Sequence, residues 1–274
     1  MATADVSGRY SATMKRRLDN PETVLITGAS SGIGEALARH YAKQGRTLFI
    51  TGRNRERLEN VASSCRAAGA VVATSLTDVT DRHAMSALVA KWNDRSPIDL
   101  LIANAGISGR TALSPDGIEL DDERVRDIFA VNLAGVLNTV EPIVEPMSER
   151  GGGQIAIMSS LAGFRGLPSA PAYGASKAAV RSWGEGMRGQ LSPRNIAVNV
   201  ICPGFVESRI TDENDFAMPF LMEADEAAAI IARGLAKNRG RIAFPWQMYL
   251  AVWLFSALPV SWTEALAKAL PRKG

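Results

Sequence analysis

Thr27-Gly28-Ala29-Ser30-Ser31-Gly32-Ile33-Gly34 closes a short β-rich run, residues 23–27, and opens a stretch where Ile33, Ala36, Leu37 and Tyr41 recur at helical spacing. A glycine-rich turn between a strand and a helix has a specific physical use. Gly28 permits a tight turn, Gly32 lets backbone approach a pyrophosphate, and Gly34 lets the helix pack close to the sheet. The helix start adds unpaired N–H groups and the positive end of a dipole. Glycines alone are a weak signal; their place after a strand and before a helix makes them informative.

The same alternation continues outward. Strands are expected at 47–51, 70–76, 99–103, 154–159, 196–202 and 241–244. Helices are expected at 32–44, 55–68, 81–93, 121–150, 172–190 and 225–237, with Pro142 and Pro146 expected to bend the fourth. Strands alternating with helices imply right-handed crossovers and a parallel sheet. Runs such as Leu100-Leu101-Ile102-Ala103 suit strands buried on both faces. The fold class is α/β: a Rossmann-type doubly wound parallel sheet in a single domain at 22–245. A flexible arm is expected at 1–21 and an apolar helical extension at 246–274.

Composition narrows the function classes. The 274 residues carry 31 bases and 28 acids, net +3, with no basic stripe, so no nucleic acid is expected as partner. Cys65 and Cys202 lack metal-type spacing and read as reduced, buried thiols; no metal site is expected. The first twenty residues have no apolar run, so no secretory leader is expected and a cytoplasmic protein is. His40 and His83 lie on helices outside the motifs and read as structural.

Two further places carry chemistry. The second strand ends in Thr51-Gly52-Arg53. Gly52 stands where folds that choose NAD place an acid for the ribose 2′-hydroxyl, and Arg53 is suited to a 2′-phosphate. NADP(H) is therefore expected over NAD(H); the alternative is that Arg53 is a solvated residue before a helix. In Tyr173-Gly174-Ala175-Ser176-Lys177, the tyrosine and lysine share a helix face. A phenol titrates near 10, and a neighbouring ammonium lowers that value, so Lys177 is expected to bring Tyr173 toward ionisation for proton exchange.

The spacing Gly-x-x-x-Gly-x-Gly, together with the Tyr-x-x-x-Lys pair, resembles the short-chain dehydrogenase/reductase family. The resemblance spans about residues 22–245 and implies several roles. Ser30, Ser31 and Ile33 join the three glycines in holding cofactor. Asp78, with Val79 beside it, falls where the family contacts adenine. Asn104-Ala105-Gly106 matches the family's Asn-Ala-Gly motif. Ser160 matches the serine that bonds the substrate oxygen, while Ser159 helps hold the loop. Asn132 matches the fourth catalytic residue, which bends its helix and relays protons toward the lysine. Lys177 also reaches the cofactor ribose. Pro203-Gly204, Val206 and Ser208 match the nicotinamide-holding segment, with serine in place of the commoner threonine.

The expected reaction is hydride transfer between NADP(H) and a small-molecule carbonyl or secondary alcohol, with Tyr173 as acid or base. The alternative is a cofactor-binding regulatory or scaffold protein without turnover. Residues 205–222 include Phe205, Ile210, Phe216, Met218, Phe220, Leu221 and Met222, which form an apolar substrate lid or cover the fold's own core. A lid would favour an apolar or lipid-like substrate. Residues 242–262 carry no charge, and Pro245 and Pro259 limit a helix there to about thirteen residues, too short to span a bilayer. The domain itself, a partner subunit or a membrane interface is left to cover it. A homo-oligomer is expected, with peripheral membrane contact through 246–262 as the alternative.

Overall fold

A computed structural model describes residues 19–108, 122–167, 170–212, 217–259 and 262. Seven strands form one parallel sheet: β1 (Thr23–Ile26), β2 (Thr47–Thr51), β3 (Val71–Ser75), β4 (Leu100–Ala103), β5 (Gly153–Met158), β6 (Ile196–Pro203) and β7 (Arg241–Phe244). Their order is β3-β2-β1-β4-β5-β6-β7. The chain leaves β1 toward β2 on one side and returns to place β4 on the other, so β1 and β4 flank the switch in strand direction of travel. Ligands bind beyond the carboxyl ends of strands at such a switch.

The helices cover both faces. Alternation along β1 sends Val24 and Ile26 to one face and Leu25 to the other. On the first face, α1 (Gly32–Tyr41) and α2 (Arg55–Ala67) pack through Leu37, Tyr41, Val61 and Cys65. On the second, α3 (Arg82–Arg95) packs through Met85 and Trp92, and Trp92 stacks on Phe49 of β2 at 5.0 Å between ring centroids. Both cysteines are buried and unpaired.

The long helical region departs from expectation at the prolines but not at Asn132. It comprises α4 (Asp122–Phe129), a π-helical turn at Ala130–Ala134 and α5 (Gly135–Glu149). The change of geometry falls at Asn132, while Pro142 and Pro146 sit inside α5. Asn132 explains this: its side chain bonds the backbone of Ile107, just beyond the carboxyl end of β4, which draws the helix out of its regular ladder.

The next elements are α6 (Pro171–Leu191), the short α7 (Arg209–Asp212), α8 (Ala224–Ala236) and α9 (Trp246–Ala257). The α8 helix joins the first face through Ile231 and Leu235, and α6 joins the second through Val180 and Leu191. Most of the expected arm, 1–18, and the expected extension beyond 259, apart from Trp262, lie outside the described residues.

Candidate active site

The glycine-rich turn is held by its neighbours rather than by its own side chains. Asn104, just after β4, donates from Nδ2 to the carbonyls of Thr27 at 2.9 Å and Gly28 at 3.2 Å. The Thr27 hydroxyl accepts from the N–H groups of Asn104 and Ala105, both at 3.1 Å. These bonds lock the ends of β1 and β4 together at the switch point. Gly34 is obligatory, because a Cβ there would lie 2.3 Å from the Gly28 carbonyl oxygen. Gly32 has φ +56°, a region that favours glycine, and a Cβ on it would meet Ser208 at 2.8 Å. The glycine turn and the segment after β6 thus face each other with little between them.

The start of α1 is open to a ligand. Ser31 is its N-cap residue but makes no side-chain capping bond. The first-turn N–H groups are therefore available to an anion, as a dinucleotide pyrophosphate requires. Ile33 packs partly against the core behind them, while Ser30 lies against Gly52. A Cβ on Gly52 would stand 2.9 Å from both Cβ and Oγ of Ser30, so a carboxylate has no room at that position. Arg53 is exposed and makes no hydrogen bond or ion pair with the described residues. Asp78 accepts from the N–H and hydroxyl of Thr80, both at 2.9 Å, and Val79 is buried beside it. Asn138 of α5 donates to the Val79 carbonyl at 2.9 Å and fixes this loop, a positioning role not read from the sequence. The residues present fit a nicotinamide dinucleotide.

Asn132, Ser160, Tyr173 and Lys177 converge beyond the carboxyl ends of β4 and β5. Asn132, fully buried, accepts from the Ile107 N–H at 2.8 Å and donates to the Ile107 carbonyl at 2.9 Å. It also donates to Ser176 Oγ at 3.0 Å, and that hydroxyl donates to the Tyr173 carbonyl at 2.8 Å. Ser176 thus couples the π-turn to the first turn of α6. Its signal was present as a hydroxyl one helical turn beyond Tyr173, but the tyrosine and lysine on either side drew the reading away from it. Ser159 donates to the Lys177 carbonyl at 2.7 Å, tying α6 to the end of β5. Gly106 leaves a gap between the pieces: a Cβ there would be 3.2 Å from both Asn132 Oδ1 and Lys177 Nζ.

The electrostatics correct one expectation. Burial pushes the Tyr173 phenol above its usual value, opposed only by its hydrogen bond with Ser160. The Lys177 ammonium sits 5.8 Å from the ring centroid and donates to the Met158 carbonyl at 3.0 Å, so the net direction at the phenol is set by burial. Burial instead brings Lys177 itself down to about 8. The site therefore holds a neutral phenol beside a cation that has been partly stripped of water.

Pro203 ends β6, and Gly204 lies against α9: a Cβ there would meet Met248 Sδ at 2.7 Å. Val206 is buried, and Ser208 is fixed by Thr211, whose Oγ1 accepts from the Ser208 N–H at 2.8 Å. The loop that follows is closed at its base, where Glu207 N–H donates to the Met222 carbonyl at 2.9 Å. Its members divide: Met222 packs on the core, whereas Phe220 and Leu221 are exposed. Phe216 lies outside the described residues.

Comparison with known proteins agrees with this geometry. Residues 22–217 match the family model described as short chain dehydrogenase. An uncharacterized oxidoreductase of Myxococcus xanthus is 37% identical over 249 residues, which cover 90% of this chain and 97% of that protein. The crystal structure of a 3-ketoacyl-ACP reductase from Sinorhizobium meliloti superposes with TM-score 0.72 at 30% identity, covering 84% of this chain and 99% of that one. A short-chain dehydrogenase from Sphingobium yanoikuyae, in complex with NADPH, gives TM-score 0.74 at 26% identity over 90% and 92% of the two chains. With the sheet order, the glycine cradle and this match over most of its length, the chain belongs to the short-chain dehydrogenase/reductase family and is an oxidoreductase.

Proposed function

We propose that the protein reduces an apolar ketone or ketoacyl compound with NADPH, using Tyr173 as proton donor. The hydroxyl of the half-buried Tyr173, hydrogen-bonded to Ser160 and raised in pKa by loss of water, carries this reading. A phenol that stays protonated at neutral pH suits giving a proton to a carbonyl oxygen better than taking one from an alcohol. When bound, the reduced nicotinamide supplies the hydride. Ser160 orients the carbonyl oxygen by hydrogen bonding, and Tyr173 protonates it as negative charge develops. Lys177 holds the ribose hydroxyls and presents positive charge near the phenol, favouring its conjugate base after the proton leaves. Asn132 and Ser176 keep the first turn of α6 in place. The exposed apolar pair Phe220 and Leu221 and the 3-ketoacyl-ACP reductase structure support an apolar acyl-type substrate.

The preference for NADPH follows from Gly52 and Arg53. With no room for an acid at 52 and beside it a guanidinium unpaired among the described residues, a 2′-phosphate gains a charge-assisted partner that a 2′-hydroxyl does not. The NADPH complex of the Sphingobium yanoikuyae structure supports the same choice. Arg53→Ala is expected to weaken NADPH binding about tenfold, the scale of one hydrogen bond to a charged group, and to leave NADH binding within about twofold. Fluorescence titration of both nucleotides checks this; equal losses for the two would remove Arg53 from the 2′-phosphate. The reaction itself is tested by following nicotinamide absorbance with apolar ketones, 3-ketoacyl thioesters and free sugars. Tight NADPH binding without turnover on any of them would replace this reading with a regulatory or scaffold role.

A further inference from the structure

The α9 helix carries no charged side chain in its twelve residues, and none of them is buried. A helix that is apolar on nearly every side needs cover on every side. Trp246, Leu250, Trp253 and Leu254 are 67%, 47%, 48% and 52% exposed, Leu258 follows at 39%, and Ala257 is exposed as well. The opposite side is anchored at both ends. Met248 lies against Gly204, and the Tyr249 hydroxyl accepts from Arg241 at 3.0 Å while its ring meets Phe164 edge-on at 5.7 Å. Arg165 lies 5.7 Å from the centroid of the Phe255 ring and donates to the Leu258 carbonyl at 3.2 Å. The helix therefore lies along the surface, directly after the edge strand β7, and shows its side.

Three observations select a second copy of this chain as the cover. The first is spacing. Trp246, Leu250, Trp253 and Ala257 follow one another at intervals of four, three and four, which makes a single stripe of the kind that seats another helix at a shallow crossing angle. The second is symmetry. Laid antiparallel on its own copy about a point between Ala251 and Val252, the stripe sets Trp246 against the partner's Ala257 and Leu250 against the partner's Trp253. Each layer opposes a larger side chain to a smaller one, as dense packing requires, and a twofold interface needs this match of a surface to itself. The third is area. The five large side chains present on the order of 500 Å² of apolar surface, taking about 250 Å² for a whole tryptophan. Homodimer interfaces are about 65% apolar, so this implies about 770 Å² per copy, close to the roughly 800 Å² of a stable interface. A lipid surface would ask for cationic groups along the helix; α9 has none, and Arg241 before it is ion-paired with Glu185 on the anchored side.

We propose that the protein self-associates through a twofold, antiparallel pairing of α9 with the α9 of a second copy, Leu250 and Trp253 lying at the centre of the contact. The full-length protein is tested by light scattering on a size-exclusion column and by melting at a series of concentrations. The wild type is expected to show the mass of at least two 29.3 kDa chains and a melting temperature that rises with concentration. Leu250→Glu and Trp253→Glu, made separately, each put an unpaired charge into the seam and are each expected to halve that mass. Far-UV circular dichroism is expected to stay unchanged and NADPH affinity to stay within about twofold, since both side chains lie on the side of α9 away from Gly204. A second measurement reads the register. Leu250→Cys chains mixed with tagged Trp253→Cys chains are expected to form a disulfide between copies on mild oxidation, in higher yield than either variant alone; Cys65 and Cys202 are buried and stay out of the exchange. A wild type that runs as a single chain at micromolar concentration would overturn the proposal, whether a lipid surface or residues 263–274 then cover the face. So would a mass that both glutamates leave unchanged, or a mixture that forms no disulfide between the two variants.

Discussion

Tyr173→Phe is expected to lower kcat for carbonyl reduction about a thousandfold, within the span usual for loss of a positioned general acid, while leaving NADPH affinity within about twofold. The argument rests on what the hydroxyl touches. It bonds Ser160 and sits in a desolvated position that keeps it protonated. Its ring contributes packing that phenylalanine retains, so the melting temperature is expected to move by only a few degrees. Without the hydroxyl, the carbonyl oxygen keeps the Ser160 hydrogen bond but loses its proton source. Stopped-flow measurement of the chemical step separates this from slow product release. A kcat near that of the wild type would mean that another group or water protonates the product, and Tyr173 would be left as a packing residue.

The sequence made the scaffold more legible than the electrostatics, and the reason is physical. The cradle was readable because Gly28, Gly32 and Gly34 have functions that follow from lacking a side chain, and the structure returns near-collisions at each position where a Cβ is added. The parallel sheet followed from strands that are short apolar runs alternating with segments of helical period. Proline is the louder local signal for a helix irregularity, whereas Asn132, marked here by the family resemblance, acts through a contact twenty-five positions away, with Ile107. Ser176, Asn138 and Thr211 went unread for the same reason: each is a small polar residue whose importance depends on the backbone it meets in space. The titration of Tyr173 was misjudged because spacing shows that Lys177 is near, but not where its ammonium points or how much water burial has removed.

Lys177→Met is expected to cost activity and raise stability at once. The buried ammonium has been brought from 10.5 to about 8 by loss of water. Between those pH values the unfolded chain holds a proton that the folded chain has released, so the wild-type protein gains stability as pH rises from about 8 toward 10.5. Below about 8, where the folded protein holds the charge, the cost of burying it is fully present. Methionine removes that cost and gives up the hydrogen bond to the Met158 carbonyl, leaving a net gain on the order of 2 kcal/mol at pH 7. The difference from wild type should shrink as pH climbs through that window. Activity moves the other way: with no cation beside the phenol and no hold on the ribose, kcat/KM for reduction is expected to fall at least a hundredfold. In the wild type, the rate should decline above about pH 8 as Lys177 loses its charge, a limb the variant lacks. Urea denaturation of both proteins at pH 7 and pH 10, beside their pH–rate profiles, reads all of this. A variant less stable than wild type at pH 7, with the same pH-dependence, would show that the ammonium is not being held in the folded site against a desolvation cost.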